Sequence, residues 1–251
     1  MSIEGPPRDA NRPPGGQAPA SAVGAGPITQ QLPLRLGPGP AQSFKTFVAG
    51  DNAAALAALR AAAGSLYLWG PAGAGKSHLL CAAWRSAEER GALALRFIAS
   101  MPTPWRWEDG TQLVLLDACE RYDAARQHAA FALFVEAATH GAMVLAAGRL
   151  PPVDLPLRED LRTRLGGGLV FALQPLAEAE VAATLRCEAE RRGIALADEV
   201  IGYLLTRFAR DLGSLMALLD ALDDFSLSHQ RAVTVPLLKQ MLAQQPGPGK
   251  P

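Results

Sequence analysis

Residues 70–77, Gly70-Pro71-Ala72-Gly73-Ala74-Gly75-Lys76-Ser77, fit the pattern G-x-x-x-x-G-K-[ST] and constrain the chain more than any other stretch. The pattern is that of a phosphate-binding loop. Its glycines leave backbone N–H groups bare for phosphate oxygens, Lys76 reaches the β- and γ-phosphates, and the Ser77 hydroxyl ligates Mg²⁺. Such a loop belongs between a strand and a helix. Leu66-Tyr67-Leu68-Trp69 before it reads as a short buried strand, and residues 77–90 after it read as a helix with Leu80, Ala83, Trp84 and Ala87 on one face and Gly91 as its stop. That order aims the helix N-terminus, with its partial positive charge, at the phosphates. A plain glycine-rich turn accounts for the glycines but not for strand, Lys-Ser pair and helix together.

The flanking segments extend this unit. Leu113-Val114-Leu115-Leu116-Asp117 is an apolar run ending in an acid, the pattern of a buried parallel strand with a carboxylate at its C-terminal edge. In phosphate-loop proteins an Asp so placed helps hold Mg²⁺ across from the Ser, so Ser77 and Asp117 are the expected metal ligands; a strand-ending Asp is also a common turn former. Glu120 is a weaker candidate, for orienting a water. Residues 93–98, 143–147 and 169–173 read as further strands, and 123–140 as a helix with Phe131, Phe134, Val135 and Ala138 along one side. Asp51 or Asn52 is a candidate cap for a helix through Arg60. Trp105 and Trp107, in a loop, either bind a base or a partner or cover the sheet. Arg158, Arg162 and Arg164 lie among acids, as on a solvated helix face; alternatively a guanidinium here reaches a neighbouring subunit's γ-phosphate.

Strands and helices alternating over 41–174 predict an α/β unit with a parallel sheet flanked by helices. Beyond Pro175 the period changes to helices alone. Val181, Leu185 and Ala189 mark the first, Val200, Ile201, Leu204, Leu205 and Phe208 the second, and Leu212, Leu215, Met216, Leu219 and Leu222 the third; Thr234 caps a short fourth. Residues 175–243 are thus a small all-helical lid domain. Residues 1–27, rich in Pro, Gly and Ala, read as a disordered tail, and 244–251 as a loose end. Between tail and domain, residues 28–40 read as an extended segment and linker: Leu32, Leu34 and Leu36 alternate around Pro33, either as an edge strand or as a tethered peptide that adds to a partner.

The 24 basic residues balance the 24 acidic ones, which argues against a global field for nucleic acid. Cys81, Cys119 and Cys187 are far apart, with neither metal-ligand spacing nor a disulfide framework. With no run of about 18 apolar residues, a cytoplasmic protein without membrane association is expected.

The phosphate loop, acid-ended strand and helical bundle together resemble the AAA+ ATPases. More narrowly, the chain resembles the Hda family, regulatory inactivators of the bacterial replication initiator DnaA. The residues that carry this are Gln31-Leu32-Pro33-Leu34-Arg35-Leu36, Gly50-Asp51-Asn52, Leu66 to Trp69, the loop with Ser77-His78-Leu79-Leu80, Leu116-Asp117-Ala118-Cys119-Glu120, Asp160-Leu161-Arg162-Thr163-Arg164-Leu165, Leu173-Gln174-Pro175-Leu176 and Thr234-Val235-Pro236. The resemblance implies that Gln31, Leu32, Leu34 and Leu36 bind the sliding clamp, the beta subunit of DNA polymerase III. It implies that Arg164 is an arginine finger acting on a partner's ATP, and that His78 and Arg210, the latter at the sensor 2 position, belong to the nucleotide site. It further implies bound ADP (or ATP) with Mg²⁺, DnaA as partner, DNA met mainly through the clamp, a nucleoid association by the same route, and a possible homo-oligomer.

This sequence departs from the family in places. Ala118 stands where most AAA+ enzymes carry a second acid that activates water, so efficient hydrolysis by the chain itself is not expected. Arg149 stands where an acidic sensor 1 residue is usual, and residues 99–112 form a shorter region than the family's. The DNA-binding helix-turn-helix of the initiator is not found. The expected function is therefore a negative regulator of replication initiation, a nucleotide-bound adaptor that binds the DNA-loaded clamp and stimulates hydrolysis of DnaA-bound ATP. The alternatives are an independent AAA+ ATPase, such as a helicase loader or transposition-type ATPase, and a binding module whose nucleotide is structural.

Overall fold

The structure, a computed structural model, describes residues 42–61, 64–208 and 211–244. Gln31, Leu32, Leu34, Leu36 and Arg210 lie outside these residues. Five strands, β1 (Leu66–Trp69), β2 (Leu93–Ile98), β3 (Thr111–Asp117), β4 (Met143–Gly148) and β5 (Leu169–Ala172), form one sheet in the order β2-β3-β4-β1-β5, every pair parallel. The three central strands, β3, β4 and β1, are nearly unbroken apolar runs because both of their faces are covered. Leu66 and Leu68 of β1, Leu113 and Leu115 of β3, and Leu145 of β4 enter one core with Leu56 and Leu59 of α1 (Ala53–Ala61) and Leu79, Leu80 and Ala83 of α2 (Lys76–Glu89). The alternate residues Tyr67, Val114, Leu116 and Val144 enter a second core with α3 (Ala124–His140) and α4 (Glu159–Gly166).

Two local expectations need correction. The buried side of α3 is Ala130, Leu133, Phe134 and Ala137, one position away from the expected stripe; Val135 is exposed and Phe131 is only half-buried. Ala130 and Ala137 share the inner face with Leu133 and Phe134, so side-chain size alone does not mark that face. Asn52 also does not act as a helix cap. It sits in a 3-10 turn, 5% exposed, and its side chain clasps Gln174 instead: Asn52 Nδ2 donates to the Gln174 carbonyl and the Gln174 N–H donates to Asn52 Oδ1, each at 2.8 Å. This clasp ties the start of α1 to the chain leaving β5. Asn52→Ala leaves both Gln174 groups without their partner, so a loss of roughly 2–4 kcal/mol is expected, read as a lower urea midpoint at unchanged slope.

Trp105 is buried and stacks on Phe97 with centroids 5.1 Å apart, so the first of the two loop tryptophans covers the sheet. Beyond β5, four helices, α5 (Glu178–Arg191), α6 (Asp198–Arg207), α7 (Leu212–His229) and α8 (Val235–Gln244), enclose a third core centred on Leu185, Leu204, Leu215, Leu219 and Leu237. Asp211 caps α7 by accepting from the Ser214 N–H at 3.1 Å. The whole is a parallel α/β unit with a C-terminal helical lid.

Candidate functional site

The carboxyl ends of β1, β4 and β3 lie side by side, and three chemically distinct groups leave the sheet there: the 70–77 loop, Arg149 and Asp117. In a parallel sheet this is the edge at which ligands collect. Gly75 opens α2 in the left-handed region, φ 89°, and a Cβ there would stand 2.7 Å from Phe47 Cε2, so both its conformation and its neighbour demand glycine. The first N–H groups of α2 then face the cleft. Lys76 Nζ curls back to the carbonyls of Gly70 and Pro71, 2.7 Å from each. Burial pushes the Lys76 ammonium below its ordinary range and Arg149 adds to this, while the carboxylates of Glu120 and Asp117 oppose it.

Ser77 Oγ donates to Asp117 Oδ2 at 2.9 Å, joining the loop to the end of β3. The other Asp117 oxygen accepts from the Ala118 N–H at 2.8 Å, and Ala118 itself is held at φ 57°, an uncommon conformation for a residue with a Cβ. The backbone there is bent to aim the carboxylate at Ser77. A hydroxyl and a carboxylate meeting beside a phosphate loop are the hard oxygen ligands that Mg²⁺ takes when phosphates and water complete its shell. No cluster of three or more His, Cys, Asp or Glu side chains suited to a metal occurs among the described residues. The donor set therefore fits a cation held jointly with a nucleotide and not by the protein alone.

The cleft has a volume of about 380 Å³, within the usual range for a small-molecule site. Gly70 is set back from it. Ala72, Gly73, Ala74, Gly75, Lys76 and Ser77 line it, as does His78. Its far wall comes from parts that no local pattern announced. The imidazole of His78 donates from Nε2 to the Ser43 carbonyl at 3.0 Å and meets Phe47 edge-on, which folds residues 42–48 over the start of α2. Burial pushes the His78 imidazole below its ordinary range, so it is neutral near pH 7. From the lid, Asp211 comes against Gly73: a Cβ at Gly73 would be 3.1 Å from the Asp211 Cβ. The lid thus closes directly on the phosphate loop.

Arg164 is elsewhere. It projects from α4, whose Leu161 and Leu165 face the core, and it does not line the cleft. Among the described residues its guanidinium has no hydrogen-bond or ion-pair partner, whereas Arg158 is held by Asp160 at 2.6 Å and Arg162 by the Val153 carbonyl at 3.2 Å. Of the three arginines, only Arg164 is left exposed and unengaged.

A family model described as Hda, lid domain, matches residues 178–242. Among solved structures, domain III of the replication initiation protein DnaA from Thermotoga maritima is 20% identical, with a TM-score of 0.66, over 83% of this chain and 98% of that one. AMPPCP-bound DnaA from Aquifex aeolicus is 19% identical, TM-score 0.59, over 75% and 66% of the two chains. A mutant of Thermotoga maritima RuvB is 16% identical, TM-score 0.60, over 82% and 73%. The fold is that of the AAA+ proteins, with the lid matching Hda.

Proposed function

Starting from a DnaA-related AAA+ chain with an Hda-type lid, we propose that this protein is a nucleotide-bound adaptor that turns off DnaA. The match of residues 178–242 to the Hda lid domain carries the reading, since this bundle closes on the phosphate loop through Asp211. In it, the 70–77 loop, His78, Asp117 and Arg210 hold ADP or ATP, and Ser77 with Asp117 holds its Mg²⁺. A bound nucleotide and its cation would supply charge that draws the lid and the loop together. Lys76 then exchanges its two carbonyl partners for phosphate oxygens, and the α2 N-terminus adds its dipole. Ala118 offers no second acid for activating water, which favours holding a nucleotide over consuming it.

The output surface is separate from the cleft. Arg164 is the group that acts on a partner's nucleotide: a guanidinium with no partner among the described residues is available to stabilise the charge that develops as DnaA-bound ATP is hydrolysed. Gln31, Leu32, Leu34 and Leu36 dock on the sliding clamp as an extended peptide. Tethering to a clamp left on DNA raises the local concentration of a weak contact with DnaA, so inactivation follows replication.

The test is ATP hydrolysis by DnaA with this chain, with and without DNA-loaded clamp. Clamp-dependent loss of ATP-DnaA supports the reading; rapid turnover by this chain alone, indifferent to clamp and DnaA, would replace it with the independent ATPase. Gln31→Ala is expected to abolish clamp binding in a pull-down while leaving the melting temperature unchanged. Full clamp binding by that variant would remove residues 31–36 from the role.

A further inference from the structure

Arg149 is held in place from both sides. Its backbone N–H donates to Glu120 Oε2 at 3.1 Å, and its guanidinium Nε lies 3.6 Å from Glu120 Oε1, so residue 149 engages both oxygens of one carboxylate. On the other side, the Tyr67 hydroxyl donates to the Leu150 carbonyl at 2.8 Å. Burial first, then the neighbouring Cys119 and Glu120, push the Tyr67 phenol up, so it stays a donor. Between these two bonds lies Gly148, where a Cβ would meet the Tyr67 hydroxyl at 2.2 Å; only glycine lets β1 and the 148–150 turn approach this closely. The turn is therefore fixed, and it places a cation in the cleft with Lys76 and Ser77.

The two charges differ in setting. The Glu120 side chain is 16% exposed, whereas that of Arg149 is 66% exposed. Without Arg149, Glu120 would be a poorly hydrated negative charge beside a phosphate site, drawing on Lys76, the ammonium that the phosphate itself needs. A carboxylate there repels phosphate, and the more so the more charge the terminal phosphate carries. An arginine in contact with it cancels that repulsion.

We propose that Arg149 and Glu120 act as one charge-compensated pair that sets the phosphate preference of this chain's own cleft. The inference rests on the reading of the cleft as a nucleotide site, not on the Arg164 or clamp assignments. The pair makes a triphosphate tolerable where an uncompensated carboxylate would select a diphosphate. Arg149 acts mainly through Glu120, so it is a positioning and specificity residue.

A double-mutant cycle on the full-length chain tests this, read by equilibrium binding of fluorescent ADP and a fluorescent non-hydrolysable ATP analogue. Arg149→Ala is expected to weaken the ATP analogue about tenfold relative to ADP, in the range of coupling seen for charges in contact. Glu120→Gln, which releases the guanidinium, is expected to shift preference the other way. The double variant, having neither charge, is expected to return near the wild-type ratio. If it is as defective as Arg149→Ala alone, Arg149 acts without Glu120 and the pair is refuted; equal weakening of both nucleotides by Arg149→Ala refutes it as well. Wild-type chain that binds neither nucleotide would overturn the cleft assignment and this inference together, whereas normal binding with an unmoved ratio would overturn only the pair. Melting temperatures of the four proteins separate these outcomes from misfolding.

Discussion

Replacing Arg164 with alanine is expected to reduce clamp-dependent hydrolysis of DnaA-bound ATP by about 1,000-fold, the lower end of what an arginine finger contributes. The expectation follows from where the side chain is and what it lacks. Leu161 and Leu165 are buried and fix α4, while Arg164 points away from the core and has no partner among the described residues. Its removal therefore breaks no bond among the described residues, and melting temperature, ADP affinity and clamp binding should all stay at the wild-type level. Arg164→Lys is expected to recover little, because an ammonium is a point charge and lacks the planar fork that grips two phosphate oxygens. Arg162→Ala is the control: that guanidinium already donates to the Val153 carbonyl. Measuring DnaA-bound ATP and ADP over time decides the matter. Stimulation retained by Arg164→Ala, or lost equally in Arg162→Ala, would take the finger away from this residue.

Much of the architecture was legible because it is local. The apolar run of residues 113–116 ending at Asp117, and the loop between Trp69 and the helix of Ser77, each announce themselves within a few residues, and the sheet places them at one edge. Alternation along β3 even separates the two cores, with Leu113 and Leu115 on one face and Val114 and Leu116 on the other. What the sequence hid were clasps between distant segments. Asn52 reaches Gln174 across 122 positions and His78 reaches Ser43 across 35, and neither pairing leaves a periodic trace. Asn52 read as a helix cap since a side-chain amide at a helix start has a local use, but a buried backbone needing two bonds claimed it instead. Arg149 was visible only as a departure from a family pattern. Its role needs Glu120, Tyr67 and Gly148 together, and only the fold assembles them.

Lys76→Ala is expected to weaken nucleotide binding by about 100-fold while leaving the free protein folded. In the structure the Lys76 ammonium lies 2.7 Å from the Gly70 and Pro71 carbonyls at the foot of the loop, and of these two residues Pro71 is exposed, so water can replace the ammonium there. Its loss costs about 1–2 kcal/mol of local hydrogen bonding at most in the free protein. Facing phosphate, the same ammonium is a charge in a half-buried cleft that also holds Asp117 and the Glu120–Arg149 pair; without it the Asp117 carboxylate faces an anion with no ammonium to offset it. The measurement is ligand-induced stabilisation. A site filled by ligand at about 100 times its dissociation constant gains about 2.7 kcal/mol against unfolding, so wild-type protein in excess ADP should melt several degrees higher than alone. The variant at the same ADP concentration should show a shift of about a quarter of that or less. Because the free-protein melting temperature is read in the same experiment, loss of the shift with an intact baseline assigns the effect to binding. An undiminished shift would mean that the nucleotide is held without Lys76, and the phosphate loop would lose the place at which the whole reading begins.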